Sequence, residues 1–206
     1  MTDNVAEAKY GNKAWNEYWS LLNDDGELTW GPDPSLTSIG EGQARTAYAV
    51  WATELPRGMP LPHKLYASPL TRALQTYELT FTGIIPAEHP KPIILEMVRE
   101  EYGEHTCDKR CKRSEIHAAF PDFDFEDGFA EEDPLWTPER ESKAHEEVRA
   151  RSVLDRIFTV DVDDTFISIT AHSGIINAFL RVIGRGDYPL PTGGLIFVVV
   201  KGSVAQ

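Results

Sequence analysis

The period of the apolar positions changes along the chain, and the changes mark the elements. Residues 5–22 hold Val5, Ala6, Tyr10, Trp15, Tyr18, Trp19, Leu21 and Leu22. Spacings of three and four put much of this set on one helical face. Gly11 breaks the stretch, and Asn12 is placed to cap a second helix from Lys13. The aromatic residues read as packing. Asn23-Asp24-Asp25-Gly26 is a turn. A helix starts at Thr37-Ser38, with Ser38 as the cap and Glu41 completing a capping box, and runs to about Leu55. His63 to Ser68 reads as a strand. Ser68 then caps a helix whose first turn holds Pro69, with Arg72 one turn in. Ile93 to Val98 is a second strand, leading into Arg99-Glu100-Glu101-Tyr102-Gly103. Ser142 to Phe158 is a charged helix.

The clearest pattern comes late. Phe166-Ile167-Ser168-Ile169-Thr170 is a short β-branched strand, followed by Ala171-His172-Ser173-Gly174. Apolar residues at 175, 176, 179, 180, 182 and 183 then give a helical repeat. Gly193 to Val200 reads as a closing buried strand. Strands alternating with helices predict an α/β fold: a three-layer sandwich with a mostly parallel central sheet and helices on both faces. Residues 104–145 break the alternation. They are read as an insertion over the sheet, within one domain spanning 1–206. Its acidic run, residues 122–133, reads as a solvated loop.

Composition narrows the partners. A net charge of −13 over 206 residues argues against a nucleic-acid surface but leaves room for a local pocket that takes a small anion. No apolar run approaches a membrane span, and Met1 to Glu7 lacks a basic and apolar signal, so a cytoplasmic location is the default. The oligomeric state is left open. Cys107 and Cys111 are too few for a disulfide scaffold and read as a reduced pair. A zinc site from His105, Cys107, Cys111 and His117 matches the usual ligand spacing poorly, so no metal and no cofactor are assigned. The basic cluster Lys109 to Arg113 reads as a solvated face that could also draw an anion towards a pocket.

Candidate chemistry gathers at the strand ends. A strand turning sharply into a helix exposes free N–H groups and the positive end of the helix dipole, which favour an anion. His172 stands at such a turn with Ser173 and Gly174. The alternative for a lone histidine is burial with its ring satisfied by neighbouring backbone. Arg72 and Glu100 follow the other two strands. In α/β sheets ligands bind at the carboxyl ends of the strands. Arginine grips phosphoryl oxygens in a fork, and a carboxylic acid can protonate a leaving oxygen.

The sequence resembles the histidine phosphatase superfamily, in particular its fungal phosphoglycerate mutase-like branch. The resemblance rests on Asn4 to Gly11, Leu36-Thr37-x-x-Gly40-x-x-Gln43-Ala44, Ser68-Pro69-Leu70-x-Arg72-Ala73-Leu74-Gln75-Thr76, Val98-Arg99-Glu100, Gly103 to Arg110, Ala171-His172-Ser173-Gly174, and Pro191 to Lys201. It implies a metal-independent phosphatase or phosphoglycerate mutase-like protein acting on a small phosphorylated molecule. Within it, His172 matches the second phosphate-site histidine, Arg72 a phosphate-binding arginine and Glu100 a proton donor. Asn4, His105 and Arg110 match substrate-side positions, and Ser173 and Gly174 the anion-binding turn. The family's first motif is Arg-His-Gly at the end of a first strand, and its histidine is the nucleophile. Met1-Thr2-Asp3 supply neither that motif nor the strand, so the sheet is expected to lack its first strand. Three readings stay open: a sequence shortened relative to the gene product, a degenerate member that keeps the anion pocket for ligand binding, or a pocket turned to other acid/base chemistry.

Overall fold

The computed structural model describes residues 2–202, and side chains from residue 5. Four parallel strands form one sheet in the order β3-β2-β1-β4. They are β1 (Lys64–Ala67), β2 (Ile93–Ile94), β3 (Asp124–Phe125) and β4 (Ile167–Thr170). The helices are α1 (Thr2–Tyr10), α2 (Asn12–Glu17), α3 (Ser38–Glu54), α4 (Thr71–Phe81), α5 (Arg113–Ala119), α6 (Lys143–Val160) and α7 (Ser173–Val182).

Side-chain alternation along β1 explains the layers. Leu65 and Ala67 face one way, into a cluster with Trp51 of α3, Leu74, Tyr77 and Phe81 of α4, and Ile116 of α5. Tyr66 faces the other way, with Leu95, Val98 and Val153 of α6, against Ile167 and Ile169 of β4 and Phe179 of α7. The sheet therefore carries helices on both faces, as the alternation predicts. β1 is central, and β4 is the outer strand on its side, with Tyr66 in register with Ile169.

Four local expectations are corrected. Gly193 to Val200 forms no strand: Phe197 and Val198 are largely exposed and Val199 fully so. Leu195 packs on the main core and Phe197 lies edge-on to Trp51 at 6.4 Å, but no sheet edge pairs with the run. Of the expected strand 93–98, Ile93 and Ile94 pair; Glu96–Val98 tightens into a 3₁₀ turn. The segment 104–145 does more than cover the sheet. It supplies β3 from within the acidic run, and its Ile116, Phe120 and Phe123 belong to the main core. Its Asp133 is buried as an ion-pair partner.

The caps also move. Thr37, not Ser38, caps α3 by accepting from Gly40 N–H at 3.2 Å. Gly11, at φ 83°, separates α1 from α2 and occupies the cap position expected for Asn12. Helix α4 starts at Thr71, where Asp33 accepts from the Thr71 N–H at 2.7 Å and from its hydroxyl at 2.9 Å. Ser142 caps α6, which begins at Lys143, by accepting from His145 N–H at 3.3 Å.

Buried arginines hold the irregular segments. Arg99 is fully buried and bonds Asp133 at 2.6 and 2.8 Å, Glu96 at 2.9 Å and the Asp108 carbonyl at 2.6 Å. Arg149 of α6 bonds both oxygens of Glu141, at 2.7 and 2.5 Å, and donates to the carbonyls of Met97 and Arg99 at 2.9 and 3.0 Å. Removing one partner of such a pair leaves an uncompensated buried charge. Arg149→Met is expected to lower the unfolding free energy by ~3–5 kcal/mol in urea denaturation. Arg57→Ala, which breaks the exposed pair with Glu54, is expected to change it by less than ~1 kcal/mol.

Candidate active site at the strand ends

The site is assembled by two strand exits and one loop. β1 ends at Ala67 and delivers Ser68, then Arg72 in the first turn of α4. β4 ends at Thr170 and delivers His172, the residue just before α7. The loop after β2 delivers Glu100. Parallel register brings these exits to the same edge of the sheet, since Ala67 pairs with both Ile94 and Thr170.

A cavity of about 470 Å³ opens there. Arg72, Glu100, His105, His172, Ser173 and Gly174 all line it. The structure thus brings together six of the expected residues. It does not bring Arg110 to the cavity. Arg110 is buried, with Nε on both oxygens of Glu96 and its terminal nitrogens on the carbonyls of Cys111, Ala130, Glu131 and Glu132. Those donors hold the 130–132 segment in place, so Arg110 is a structural cation and not a wall residue. The cluster 109–113 as a whole contributes nothing to the lining. The side chain of Asn4 lies outside the described residues.

His172 is 7% exposed, and its Nε2 is 2.8 Å from Ser68 Oγ. Its Nε2 is therefore met by the side chain that follows the neighbouring strand β1, rather than by backbone. Burial, aided by Arg72, Arg99 and Arg149, holds its pKa well below the ordinary histidine value, so the ring is neutral at physiological pH. Arg72 is also buried. Its Nη1 donates to the Cys107 carbonyl and its Nη2 to Asp108, both at 2.8 Å. Glu100 Oε1 accepts from Gly174 N–H at 3.0 Å and from Glu101 N–H at 3.1 Å. The carboxyl group thus already occupies the anion-favouring start of α7. Burial raises its pKa to about 7, with the charge of Asp108 adding and Arg72 opposing.

Several wall residues carried no distinctive pattern. Asp108 and Arg140 are joined at 2.7 Å, and Arg140 also bonds Glu101 at 3.0 Å. Both line the cavity beside Trp15 and Glu101. Asp108 lies inside the His105 to Arg110 stretch, but nothing in its spacing marks it as a partner for Arg72. His105, Cys107 and Asp108 place one potential ligand atom each within 4.8 Å of one another. The Asp108 carboxylate in that cluster is held by two guanidinium groups, which oppose a cation.

A parallel sheet with a neutral histidine, an arginine and a raised-pKa carboxyl group over its carboxyl edge defines an α/β protein with its candidate active site at the strand ends. The sequence model of the histidine phosphatase superfamily (branch 1) matches residues 11–192, and the chain belongs to that superfamily. It is 44% identical over 201 residues to a probable phosphoglycerate mutase of Arthroderma benhamiae, covering 96% of this chain and 59% of that protein. It is 34% identical over 220 residues to the probable phosphoglycerate mutase PMU1 of Saccharomyces cerevisiae, covering 96% and 74%. The chain thus spans under two thirds of the first relative's length. In fold it is similar to the alpha-ribazole phosphatase of Shigella flexneri, with a TM-score of 0.51 and 15% identity over 80% of this chain and 78% of that one. No helix among the described residues is long and apolar enough to cross a membrane.

Gly174 is the tightest point of the site. A Cβ there would run into Glu100 Oε1 and would stand 2.8 Å from Glu146 Oε1. Gly42, in α3, has open space around it. Gly174→Ala is expected to cost ~1–3 kcal/mol through overpacking. Gly42→Ala is expected to stabilise by ~0.5–1 kcal/mol through helix propensity. Thermal melts of the two variants should therefore move in opposite directions.

Proposed function

We propose that the chain is the phosphate-handling part of a metal-independent phosphatase or phosphoglycerate mutase-like protein, acting on a small phosphorylated molecule. The observation that carries this reading is the shared cavity lined by Arg72, Glu100, His172, Ser173 and Gly174. The positive charge a phosphoryl group needs comes from Arg72, beside a helix start whose Gly174 N–H is held by the protonated and therefore uncharged Glu100 carboxyl group, so no metal is called for. His172 is the neutral donor to a phosphoryl oxygen, with Ser68 fixing its ring. Glu100 is the general acid: as the phosphoryl group passes to water and the phosphorus–oxygen bond to the leaving group breaks, the proton of Glu100 goes to the leaving oxygen and the proton lost by water goes to solvent. His105 and Arg140 form the wall facing the rest of the substrate. Burial, with Arg140 adding, lowers the His105 pKa, so that ring is also a neutral contact. Hydrolysis in the cytoplasm by one domain, with a local anion pocket in an acidic protein, is consistent with this reading.

A second reading has an observation in its favour. In the family resemblance the phosphoryl acceptor is a histidine in an Arg-His-Gly motif. The histidines of this cavity wall are His105 and His172, and His105 stands on a loop edge-on to Trp15, not at a strand end. Under that reading the pocket binds an anionic ligand or serves other acid/base chemistry.

Hydrolysis of an aryl phosphate separates the two. The first reading predicts turnover above a His172→Ala control. It also predicts loss of rate as pH rises through about 7, because Glu100 gives up the proton it must donate. No turnover above the control, with phosphate still bound, overturns the first reading in favour of the second. Phosphate or vanadate failing to bind between Arg72 and His172 overturns both.

A further inference from the structure

Next to Glu100 stands a second carboxyl group that the mechanism above does not use. Glu146 lies on α6 and is 2% exposed. Its Oε2 accepts from Arg181 Nη2 of α7 at 3.3 Å. Its Oε1 is buried with no hydrogen-bond partner. That oxygen and Glu100 Oε1 crowd the same point, the place where a side chain on Gly174 would begin. Two carboxyl groups thus converge on one glycine, one from α6 and one from the loop after β2.

Full ionisation of such a pair is disfavoured, because like charges repel and the Glu146 carboxyl group is buried away from water. A buried acceptor without a donor is also costly. One proton on the pair relieves the repulsion. The surroundings decide which group carries it. Burial, with Glu101 and Glu141 adding, raises the Glu146 pKa as well, while Arg149 and Arg181 oppose and favour its charge. Glu100 is faced by Arg72, but also by Asp108 and by Glu146 itself. His172, across the turn, is neutral and supplies no charge.

We infer that Glu146 is a positioning residue that pairs with Glu100 and keeps it protonated as the acid of the pocket. This rests on the reading of Glu100 as proton donor and adds the partner that holds its proton. When Glu100 gives up that proton, two adjacent carboxylates remain, and their repulsion drives reprotonation of Glu100 from solvent.

Carbon-13 NMR titration of the glutamate carboxyl groups tests the pair without needing turnover. The Glu100 signal, assigned by its loss in Glu100→Gln, is expected to titrate near pH 7 in the unaltered protein. Glu146→Gln keeps the shape and the contact with Arg181 but removes the neighbouring charge. It is expected to move the Glu100 midpoint down by about one pH unit. Arg181→Gln strips the cation that favours the charge on Glu146, shifts the proton of the pair towards Glu146, and is expected to move the Glu100 midpoint down as well. A merely structural role for Glu146 moves neither. A Glu100 midpoint that stays put or rises in Glu146→Gln overturns the inference, as does an unaltered protein with no carboxyl titrating near pH 7. The same variants assayed for aryl phosphate hydrolysis separate the two readings. If the NMR shift appears but the alkaline limb of the rate does not follow it, Glu100 is not the acid, while the pair stands. If the rate limb lies near pH 7 and Glu146→Gln moves neither limb nor signal, the acid stands and the pair falls.

Discussion

The arrangement depends on one buried contact, the pairing of Arg149 with Glu141. Helix α6 carries no residue directly into the cavity wall, yet this guanidinium reaches the carbonyls of Met97, Arg99 and Glu100. It fixes the backbone on both sides of Glu100, just beyond the 3₁₀ turn that follows β2. Without it, a loop following a strand of two residues would have little to define its path. Arg99 and Arg110 extend the same principle, tying Glu96, Asp133 and the 130–132 carbonyls into one network. Buried charge here replaces regular secondary structure: between β2 and α6 the chain has one short α-helix, one two-residue strand and two 3₁₀ turns, and cations with several donors satisfy the carbonyls.

That frame sets the chemistry of the pocket. Glu100 is pressed against the first turn of α7, where its carboxyl group meets amide donors and a second carboxyl group at the wall of the cavity. Desolvation dominates and leaves a group able to hold a proton near neutral pH. His172 is driven the other way by the same burial and stays uncharged. An acid and a neutral imidazole thus line one cavity, where they can give up and share protons near neutral pH. The glycine after Ser173 permits both, because any side chain there would displace the carboxyl groups.

Much of this is legible in the sequence where the pattern is local. The β-branched run before His172 and the helical repeat after it define β4, the turn and α7 within twenty residues. The alternation of elements predicts a parallel sheet with helices on both faces. What fails is non-local. Leu195 to Val200 has the composition of a strand, but a strand needs a paired edge, and no spacing along the chain reveals whether one is free. Phe123 and Phe125 flank Asp124 in an acidic run, so net charge hides a sheet strand. Arg110 sits in a basic cluster that resembles an anion-facing wall, and only the fold shows its donors turned inward to carbonyls. Glu146 and Arg149 lie in a helix rich in charge, where nothing marks these two as the buried ones.

The account stands or falls on whether the turn at β4 and α7 is an anion site. Amide chemical shifts followed while inorganic phosphate is titrated into the protein measure this most directly. The account predicts saturable shifts largest at Ser173 and Gly174, with a response at Arg72 and Glu100, and their loss in His172→Ala. Shifts that are spread over surface lysines and do not saturate, or that leave Ser173 and Gly174 unmoved, would contradict it.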